Sequence, residues 1–219
     1  MKPEFWLQRW REGRTGWHRD AVMPLLEKHW PALSLPRASR VLMPLCGKSL
    51  DIIWLAAQGY SVLGVELASL AVEQFFAENH LHPQTHTAAD GTHYRAGNIE
   101  IINGDVFGVE ASTLATCVGA YDRAALIALP PTMRERYAQR IYARLPAGCQ
   151  TLLITLEYPH EQMEGPPFSV DEAEVRRLFG DAWEITQLER HDILHSQPDF
   201  AARGVTALHT SVYRLLRDG

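Results

Sequence analysis

The chain has 219 residues, of which 46% are hydrophobic and 21% charged, and its net charge is −5. This length and balance are typical of one folded α/β domain with additions and exclude wholesale disorder. The acidic balance argues against a basic nucleic-acid-binding surface and against a polybasic membrane anchor. No apolar run approaches the roughly 20 residues that a membrane span requires.

The three cysteines, Cys46, Cys117 and Cys149, lie far apart in apolar surroundings. They are too few for a disulfide framework and indicate reduced thiols. The first residues lack the charged and apolar regions of a signal peptide. We therefore expect a soluble, cytoplasmic monomer with a single domain over residues 1–219, which binds neither nucleic acid nor membranes.

In chain order, the predicted elements begin with two short helices. Residues 3–13 place aromatic side chains on one helical face, and Asp20 is a suitable cap for a second helix that Pro31 ends. Buried strands then alternate with helices. The predicted strands cover 41–46, 61–67, 99–103, 120–122 and 151–156, and the helices cover 50–58, 69–81, 130–145 and 169–179. Residues 82–98 are polar and rich in turn formers, which indicates a loop or insertion.

Two long alternating segments, 183–193 and 205–215, end the chain without a clear helix between them. The alternation before them predicts a doubly wound, largely parallel sheet, and the ending predicts an antiparallel strand on one edge. Ligands of such sheets bind in the crevice beyond the carboxyl ends of the strands. That rule selects the residues that follow each predicted strand: 45–48, Glu66, Asp105, 121–123 and 157–158.

Glu66 ends the second predicted strand, 21 positions after Leu45. An acidic residue at about this spacing accepts hydrogen bonds from a ribose diol. The alternative is a carboxylate that caps the next helix at Ser69. The turn at 47–49 imitates the end of a phosphate-binding loop, but Leu42 stands where that loop needs glycine. A nucleoside without a polyphosphate therefore suits the sequence better than a dinucleotide. Cys46, in the same turn, is either a nucleophile or a small core residue.

Two further strand ends carry charged residues. Asp105 either accepts a hydrogen bond from the amine of adenine or forms a turn after Gly104. Arg123 either points into the crevice, where its planar fork of donors holds an anion, or pairs with Asp122 on the surface. Histidines cluster in the 82–98 segment, but metal-binding spacings such as H-E-x-x-H and C-x-x-C are absent from the sequence. We expect no metal site.

Five segments of the sequence together carry a family pattern: Phe5-Trp6 with Trp10, Pro44-Leu45-Cys46-Gly47-Lys48-Ser49, Gly64-Val65-Glu66, Tyr121-Asp122-Arg123-Ala124-Ala125-Leu126 and Gly165-Pro166-Pro167-Phe168. They resemble the bacterial branch of the thiopurine S-methyltransferases. The resemblance implies the Rossmann-like fold of class I S-adenosylmethionine-dependent methyltransferases, with a seven-stranded sheet and a helical lid over residues 1–35. It also implies methyl transfer from S-adenosylmethionine to the sulfur of thiopurines or related thiols, and links bacterial members to selenium and tellurium methylation and to tellurite resistance.

The resemblance also implies roles for individual residues. Those assigned to the cofactor are Trp6, Trp10, Leu45, Glu66, Asp105, Val106 and Arg123. Trp10 and the Leu45 backbone contact the methionine part, Glu66 the ribose, and Asp105-Val106 the adenine. Arg123 is the implied catalytic residue and contacts the acceptor together with Trp17, which stands where the family often has Phe.

Simple chemistry agrees with this assignment. A thiolate or selenolate acceptor needs positioning and charge stabilisation rather than a strong general base. Aromatic faces such as those of Trp6, Trp10 and Trp17 attract a cationic sulfonium. Two alternatives remain open at this point. The first is a sensor that binds S-adenosylmethionine without turnover. The second is an NAD-dependent oxidoreductase, against which the missing glycine-rich turn argues.

Overall fold

A computed structural model describes residues 3–219 of the chain. Its strands are β1 (Arg40–Pro44), β2 (Ser61–Glu66), β3 (Gln84–Ala88), β4 (Gly91–Ala96), β5 (Ile99–Asn103), β6 (Gly119–Arg123), β7 (Gln150–Glu157), β8 (Trp183–Asp192) and β9 (His209–Arg217). Its α-helices are α1 (Pro3–Arg11), α2 (Pro24–His29), α3 (Asp51–Ala57), α4 (Ser69–Glu78), α5 (Ala111–Leu114), α6 (Pro131–Arg140), α7 (Glu172–Phe179) and α8 (Pro198–Ala202).

The nine strands form one sheet in the order β3-β4-β5-β2-β1-β6-β7-β9-β8. The central strands β5, β2, β1, β6 and β7 pair in parallel. Helices and loops cover both faces, so these strands are short continuous apolar runs such as 41–43 and 62–65. This architecture is the predicted doubly wound, mostly parallel α/β sheet.

The antiparallel strand of the carboxyl-terminal half lies one position inside the edge. β9 pairs antiparallel with β7 on one side and with β8 on the other. The crossover that contains α7 returns the chain parallel to β7 and leaves a gap, which β9 fills by turning back beside β8. The edge strand itself, β8, pairs antiparallel with its neighbour β9, as predicted, and therefore runs in the same direction as β7.

Residues 82–98 are mostly an antiparallel hairpin rather than the predicted loop. β3 and β4 pair with each other, and β4 extends the sheet beyond β5. The sheet thus has nine strands instead of the expected seven. Gly91 has φ +140°, and a Cβ at this position would lie 2.4 Å from the Asn103 carbonyl oxygen, so only glycine allows this close pairing. Because β3 is exposed throughout and polar, it carries no apolar alternation for a sequence pattern to detect.

Several helix starts differ from the sequence expectation. α2 begins at Pro24, with Met23 rather than Asp20 at its N-cap. α7 is capped by Asp171, whose carboxylate accepts from the Glu174 amide at 2.8 Å. Ser169, the predicted cap, instead exchanges hydrogen bonds with the backbone of Tyr158. In each case a tertiary contact or a better-placed acceptor overrides the local capping signal.

The amino-terminal helix packs outside the main core. Large apolar clusters lie on the two faces of the sheet. Trp10 belongs to a separate small cluster with Ala68 and Ala71, against which Leu7 and Trp17 also pack. α1 thus rests on the start of α4, over the carboxyl ends of the strands. Of the helices within residues 3–219, none has the length and apolar character needed to span a bilayer.

Candidate active site at the carboxyl ends of the central strands

A cleft opens beyond the carboxyl ends of β1 and β6. Three parts of the chain line it: the amino-terminal segment, the turn after β1 with the first residue of α3, and the end of β6 with the residue that follows. The lining residues are Trp10, Trp17, His18, 43–49, Asp51, Tyr121, Arg123 and Ala124. This is where parallel α/β sheets bind their ligands.

Four of the predicted site residues line this cleft: Trp10, Trp17, Leu45 and Arg123. Trp6 lies outside the lining but packs edge-to-face on Trp17, with ring centroids 5.3 Å apart. Trp10 packs on Trp17 in the same way at 5.9 Å. The three indoles therefore form one aromatic cluster on the amino-terminal side of the cleft.

The turn after β1 has an unusual backbone that brings α1 close. Leu45 and Gly47 both adopt left-handed conformations, with φ 47° and φ +54°. A Cβ on Gly47 would lie 3.2 Å from the Trp10 ring. The absence of a side chain at Gly47 therefore lets the indole rest directly on the turn.

Glu66 is buried at the end of β2 and holds this turn in place. One carboxylate oxygen accepts from the Gly47 amide at 2.8 Å, and the other accepts from the Ala68 amide at 2.7 Å. Burial raises the pKa of Glu66, and the backbone hydrogen bonds oppose that rise. Each oxygen keeps further lone-pair capacity. The side chain thus contacts the start of α4, as the capping alternative predicts, and retains acceptors for a ligand.

Asp122 and Arg123 point to different surroundings, because adjacent residues of a strand face opposite sides. Asp122 is 1% exposed. It accepts from the Leu126 amide at 3.1 Å and from the hydroxyls of Tyr137 and Tyr142 at 2.8 Å each. Burial raises the pKa of Asp122, and these hydrogen bonds oppose the rise. The surface pair between Asp122 and Arg123 therefore does not form.

Arg123 is half-buried and lines the cleft. Among residues 3–219, no carboxylate forms an ion pair with its guanidinium. Ala124, which follows it, takes a left-handed φ of 63°. The turn after β6 thus presents a cation to the cleft without a neutralising partner from the described chain.

Asp105 and Val106 lie after β5 and do not line the cleft. Asp105 is exposed, and its carboxylate accepts from the Phe107 amide at 3.0 Å, which makes it the cap of a short 3-10 turn. Val106 is 7% exposed and packs in the core. Asn103 connects this strand end to β2, because its amide donates to the backbone carbonyls of Glu66 and Leu67.

The structure also bears on two further points from the sequence, namely the role of Cys46 and the presence of a metal site. Burial, followed by the nearby Glu66 charge, raises the pKa of Cys46 well above its ordinary value. Cys46 is therefore a protonated core thiol, as the second of its two interpretations states. Within the described part of the chain, no three histidine, cysteine or acidic side chains are grouped so as to hold a metal ion.

Four polar residues of the cleft carry no role from the sequence: His18, Lys48, Asp51 and Tyr121. Asp51 is buried and accepts from the Met23 amide at 2.8 Å and from the Tyr121 hydroxyl at 3.0 Å. Burial, and then the Asp51 charge, raise the pKa of Tyr121 well above its ordinary value. Lys48 and Tyr121 fall within the strand ends that the sequence selected for the crevice, whereas for His18 the available signal was its position after Trp17.

The comparisons with known proteins agree with this geometry. The family model described as Thiopurine S-methyltransferase (TPMT) matches residues 1–218. A thiopurine S-methyltransferase of Xanthomonas campestris pv. campestris (strain 8004) is 61% identical over 218 residues, covering 100% of both chains. One from Bordetella parapertussis is 59% identical over 219 residues, again covering 100% of both chains.

Solved structures show the same fold at low sequence identity. A SAM-dependent methyltransferase from Anabaena variabilis aligns with TM-score 0.69 and 17% identity, over 98% of this chain and 94% of that chain. The 1,6-didemethyltoxoflavin-N1-methyltransferase of Burkholderia thailandensis, with bound S-adenosylhomocysteine, aligns with TM-score 0.66 and 18% identity, over 99% and 87% of the two chains. The class I methyltransferase fold predicted from the sequence is confirmed.

Proposed function

The chain belongs to the thiopurine S-methyltransferase family and is an S-adenosylmethionine-dependent methyltransferase, and from that premise we propose that it methylates the sulfur of thiopurines or related thiols. The family, the enzyme class and the cofactor predicted from the sequence are confirmed. Membership of this enzyme class excludes the two alternatives, a non-catalytic sensor and an NAD-dependent oxidoreductase.

One observation carries the proposal: an aromatic cluster and a cation without an ion-pair partner among residues 3–219 line one cleft, and a buried carboxylate lies directly behind its wall. Trp10 and Trp17 line one side, and Arg123 lines the other. Glu66 lies directly behind Gly47, which forms part of the wall. Aromatic faces suit a sulfonium, a carboxylate suits a ribose diol, and a guanidinium suits an anionic sulfur.

The residues present fit S-adenosylmethionine. Glu66 retains acceptor capacity for the ribose hydroxyls, and Trp6 and Trp10 with the Leu45 backbone serve the methionine end. When bound, S-adenosylmethionine supplies an electrophilic methyl group on a cationic sulfur. Asp105 and Val106 remain our candidates for adenine, although they lie outside the cleft lining, because they follow the strand next to β2.

The chain's own contribution to catalysis is positioning, charge stabilisation and exclusion of water. Arg123 holds the acceptor sulfur as an anion and is the catalytic residue of the proposal. Trp17 packs against the acceptor. Residues 1–35, which include α1, act as a lid whose aromatic side chains close the cleft over the reacting atoms.

The same arrangement suits softer nucleophiles. A selenolate resembles a thiolate in charge and geometry, so we extend the proposal to selenium and tellurium compounds and, through them, to tellurite resistance. The three cysteines are buried free thiols. They support our proposal of a reduced, cytoplasmic location, and we propose that the enzyme acts there as a monomer.

A methyl-transfer screen tests the proposed function. Purified protein and S-adenosylmethionine are incubated with a thiopurine, a simple aromatic thiol, a selenol and tellurite, and the methylated products are identified by mass spectrometry. We expect S-methyl products from the thiopurine and the thiol. Reactions without the protein measure background transfer, and an Arg123→Ala variant should give less product than the parent. The absence of S-methyl product from every sulfur acceptor would overturn the proposal.

A further inference from the structure

His18 lines the cleft but has no part in the mechanism above. It lies between α1 and α2, next to Trp17, and its side chain is 17% exposed. The nearest carboxylate oxygen to its Nε2 atom belongs to Asp20, at 3.6 Å, which is too long for a hydrogen bond. In the described part of the chain, the imidazole forms no hydrogen bond with any side chain or backbone atom at normal distance.

Four charged groups surround this imidazole. Lys48 comes from the turn after β1, Arg123 from the end of β6, Glu78 from α4, and Asp20 from the segment before α2. Burial lowers the pKa of His18 and the Lys48 and Arg123 charges lower it further, whereas Asp20 and Glu78 oppose them. Lys48 is itself paired with Glu78 at 2.6 Å. The result is a neutral imidazole at physiological pH, with an unshared electron pair, in a cleft that also holds a cation.

Thiol acceptors differ in whether they need a neutral imidazole to take up a proton. A thiol that is already ionised requires only Arg123, while a protonated thiol must lose its proton before the sulfur can attack. Building on the proposed sulfur methylation, we propose that His18 accepts the proton from the sulfhydryl group of a protonated acceptor in the cleft. The reachable substrate class therefore includes thiols that are mostly protonated at neutral pH.

The step balances without any further reactant. The S–H bond of the acceptor breaks, its proton moves to the free ring nitrogen of His18, and the electron pair stays on sulfur, beside the Arg123 guanidinium. That sulfur then forms a bond to the methyl carbon, whose bond to the sulfonium breaks with its electron pair left on the departing thioether. The imidazolium afterwards releases its proton to solvent.

The kinetic test compares two acceptors that differ in ionisation. 4-Nitrothiophenol is ionised at neutral pH, and benzyl mercaptan is protonated. We expect His18→Gln to lower kcat/KM for benzyl mercaptan by about 100-fold, the usual size of a general-base contribution, with less than about a threefold change for 4-nitrothiophenol. His82→Gln, an exposed histidine outside the cleft, is the matched control and should change neither value. Equal losses on both acceptors would show a structural role and overturn the proposal.

A spectroscopic measurement on the unmodified protein does not depend on turnover, and it uses a variant only to assign the signals. In the complex with S-adenosylhomocysteine, the imidazole NMR signals of His18, assigned by their absence from His18→Asn, should move from the neutral to the protonated form when thiophenol, which carries its acidic proton on sulfur, is added. Signals that stay neutral with the acceptor bound would overturn the proposal. A failure of the proposed function looks different, since the unmodified enzyme would then methylate neither thiol.

Discussion

Two buried carboxylates end neighbouring regions of the sheet and serve different purposes. Glu66 ends β2 and Asp122 lies near the end of β6, and each accepts an amide hydrogen bond from the turn that follows its own strand. Asp122 also receives two tyrosine hydroxyls on one oxygen. Glu66 receives one more backbone amide, from Gly47. Asp122 is therefore enclosed by the core, whereas Glu66 retains lone pairs beside the cleft.

This difference assigns Asp122 to support of the fold and leaves Glu66 as our candidate for ligand binding. Asp122 holds the turn that carries Arg123, so its own charge never reaches a ligand. Both turns include a left-handed residue that is not glycine, Leu45 in one and Ala124 in the other. Such conformations are unfavourable and persist where surrounding contacts enforce them, commonly at functional sites. The buried carboxylates supply those contacts.

The largest expected effect follows from removing the supporting carboxylate. Asp122→Ala leaves the hydroxyls of Tyr137 and Tyr142 and the Leu126 amide without their acceptor in the core. We expect a loss of about 4 kcal/mol in the free energy of unfolding, because each buried unsatisfied group costs roughly 1–3 kcal/mol. Urea unfolding measures it. Asp181→Ala, at an exposed position, should stay within about 0.5 kcal/mol of the parent. Similar values for both variants would contradict the assignment.

Glu66, the carboxylate that we propose binds the ribose, should respond differently. Glu66→Ala should weaken S-adenosylmethionine binding by roughly 1.5–3 kcal/mol, the usual contribution of hydrogen bonds to a charged group. Titration calorimetry on the folded variant measures the affinity. Glu66→Gln keeps one acceptor oxygen and should lose less. If Glu66→Ala binds the cofactor as the parent does, Glu66 only holds the Gly47 turn and the start of α4.

Arg123 connects the two regions, since it follows the supporting carboxylate and lines the binding cleft. Arg123→Ala should lower kcat/KM about tenfold or more, and most for anionic acceptors, because it removes a charged donor. Arg123→Lys should restore only part of the activity, because lysine lacks the planar fork. Steady-state kinetics decide. Parent-like rates in both variants would mean that the charge does not reach the acceptor.

The proposed lid, residues 1–35, can be tested through its mobility. α1 packs through the small cluster around Trp10 rather than through the main core, and Gly13 and Gly16 follow it in open space. We expect a protease to cut near these glycines in the free protein and S-adenosylhomocysteine to protect them. Removal of residues 1–17 should leave a folded domain that binds the cofactor about tenfold more weakly. Unfolding of the truncated chain, or protection without ligand, would place the tryptophans in the core instead.

The smallest expected effect is a pH dependence of stability, which comes from a cluster of His93 with two acidic residues. His93 contacts Glu100 at 2.7 Å and Asp90 at 2.9 Å. Burial alone lowers the pKa of His93, but hydrogen bonds to Glu100 and Asp90 outweigh it and raise the pKa. The stability from this cluster is therefore complete below the unfolded value of about 6.5 and is lost as pH rises through the folded pKa.

His93→Gln isolates that contribution. The difference in unfolding free energy between parent and variant should be largest in mildly acidic buffer and shrink as the pH rises. Thermal unfolding across the pH series measures it, with His82→Gln as the control. A difference that stays constant with pH would mean that His93 acts by packing alone.

The sequence determined the central architecture because its strands bury both faces. Runs such as 41–43 and 62–65 are visibly apolar in the sequence, which is typical of strands buried on both faces. Parallel topology then places the carboxyl ends of these strands together. The positions of Glu66 and Arg123 at two of those ends follow from the same logic. The family pattern added the cofactor and the roles implied for the aromatic residues.

Only the tertiary structure decided the rest, because it depends on contacts between distant segments. The exposed polar strand β3 exists through its pairing with β4, and β9 occupies a gap that the α7 crossover creates. Asp122 becomes a supporting residue because two tyrosines from the α6 region reach it. His18 becomes a cleft residue because α1 packs on α4 and carries the following loop over the strand ends. Local sequence patterns indicate which roles a residue can fill. Its actual role depends on its burial and its contacts, and these are set by the tertiary fold.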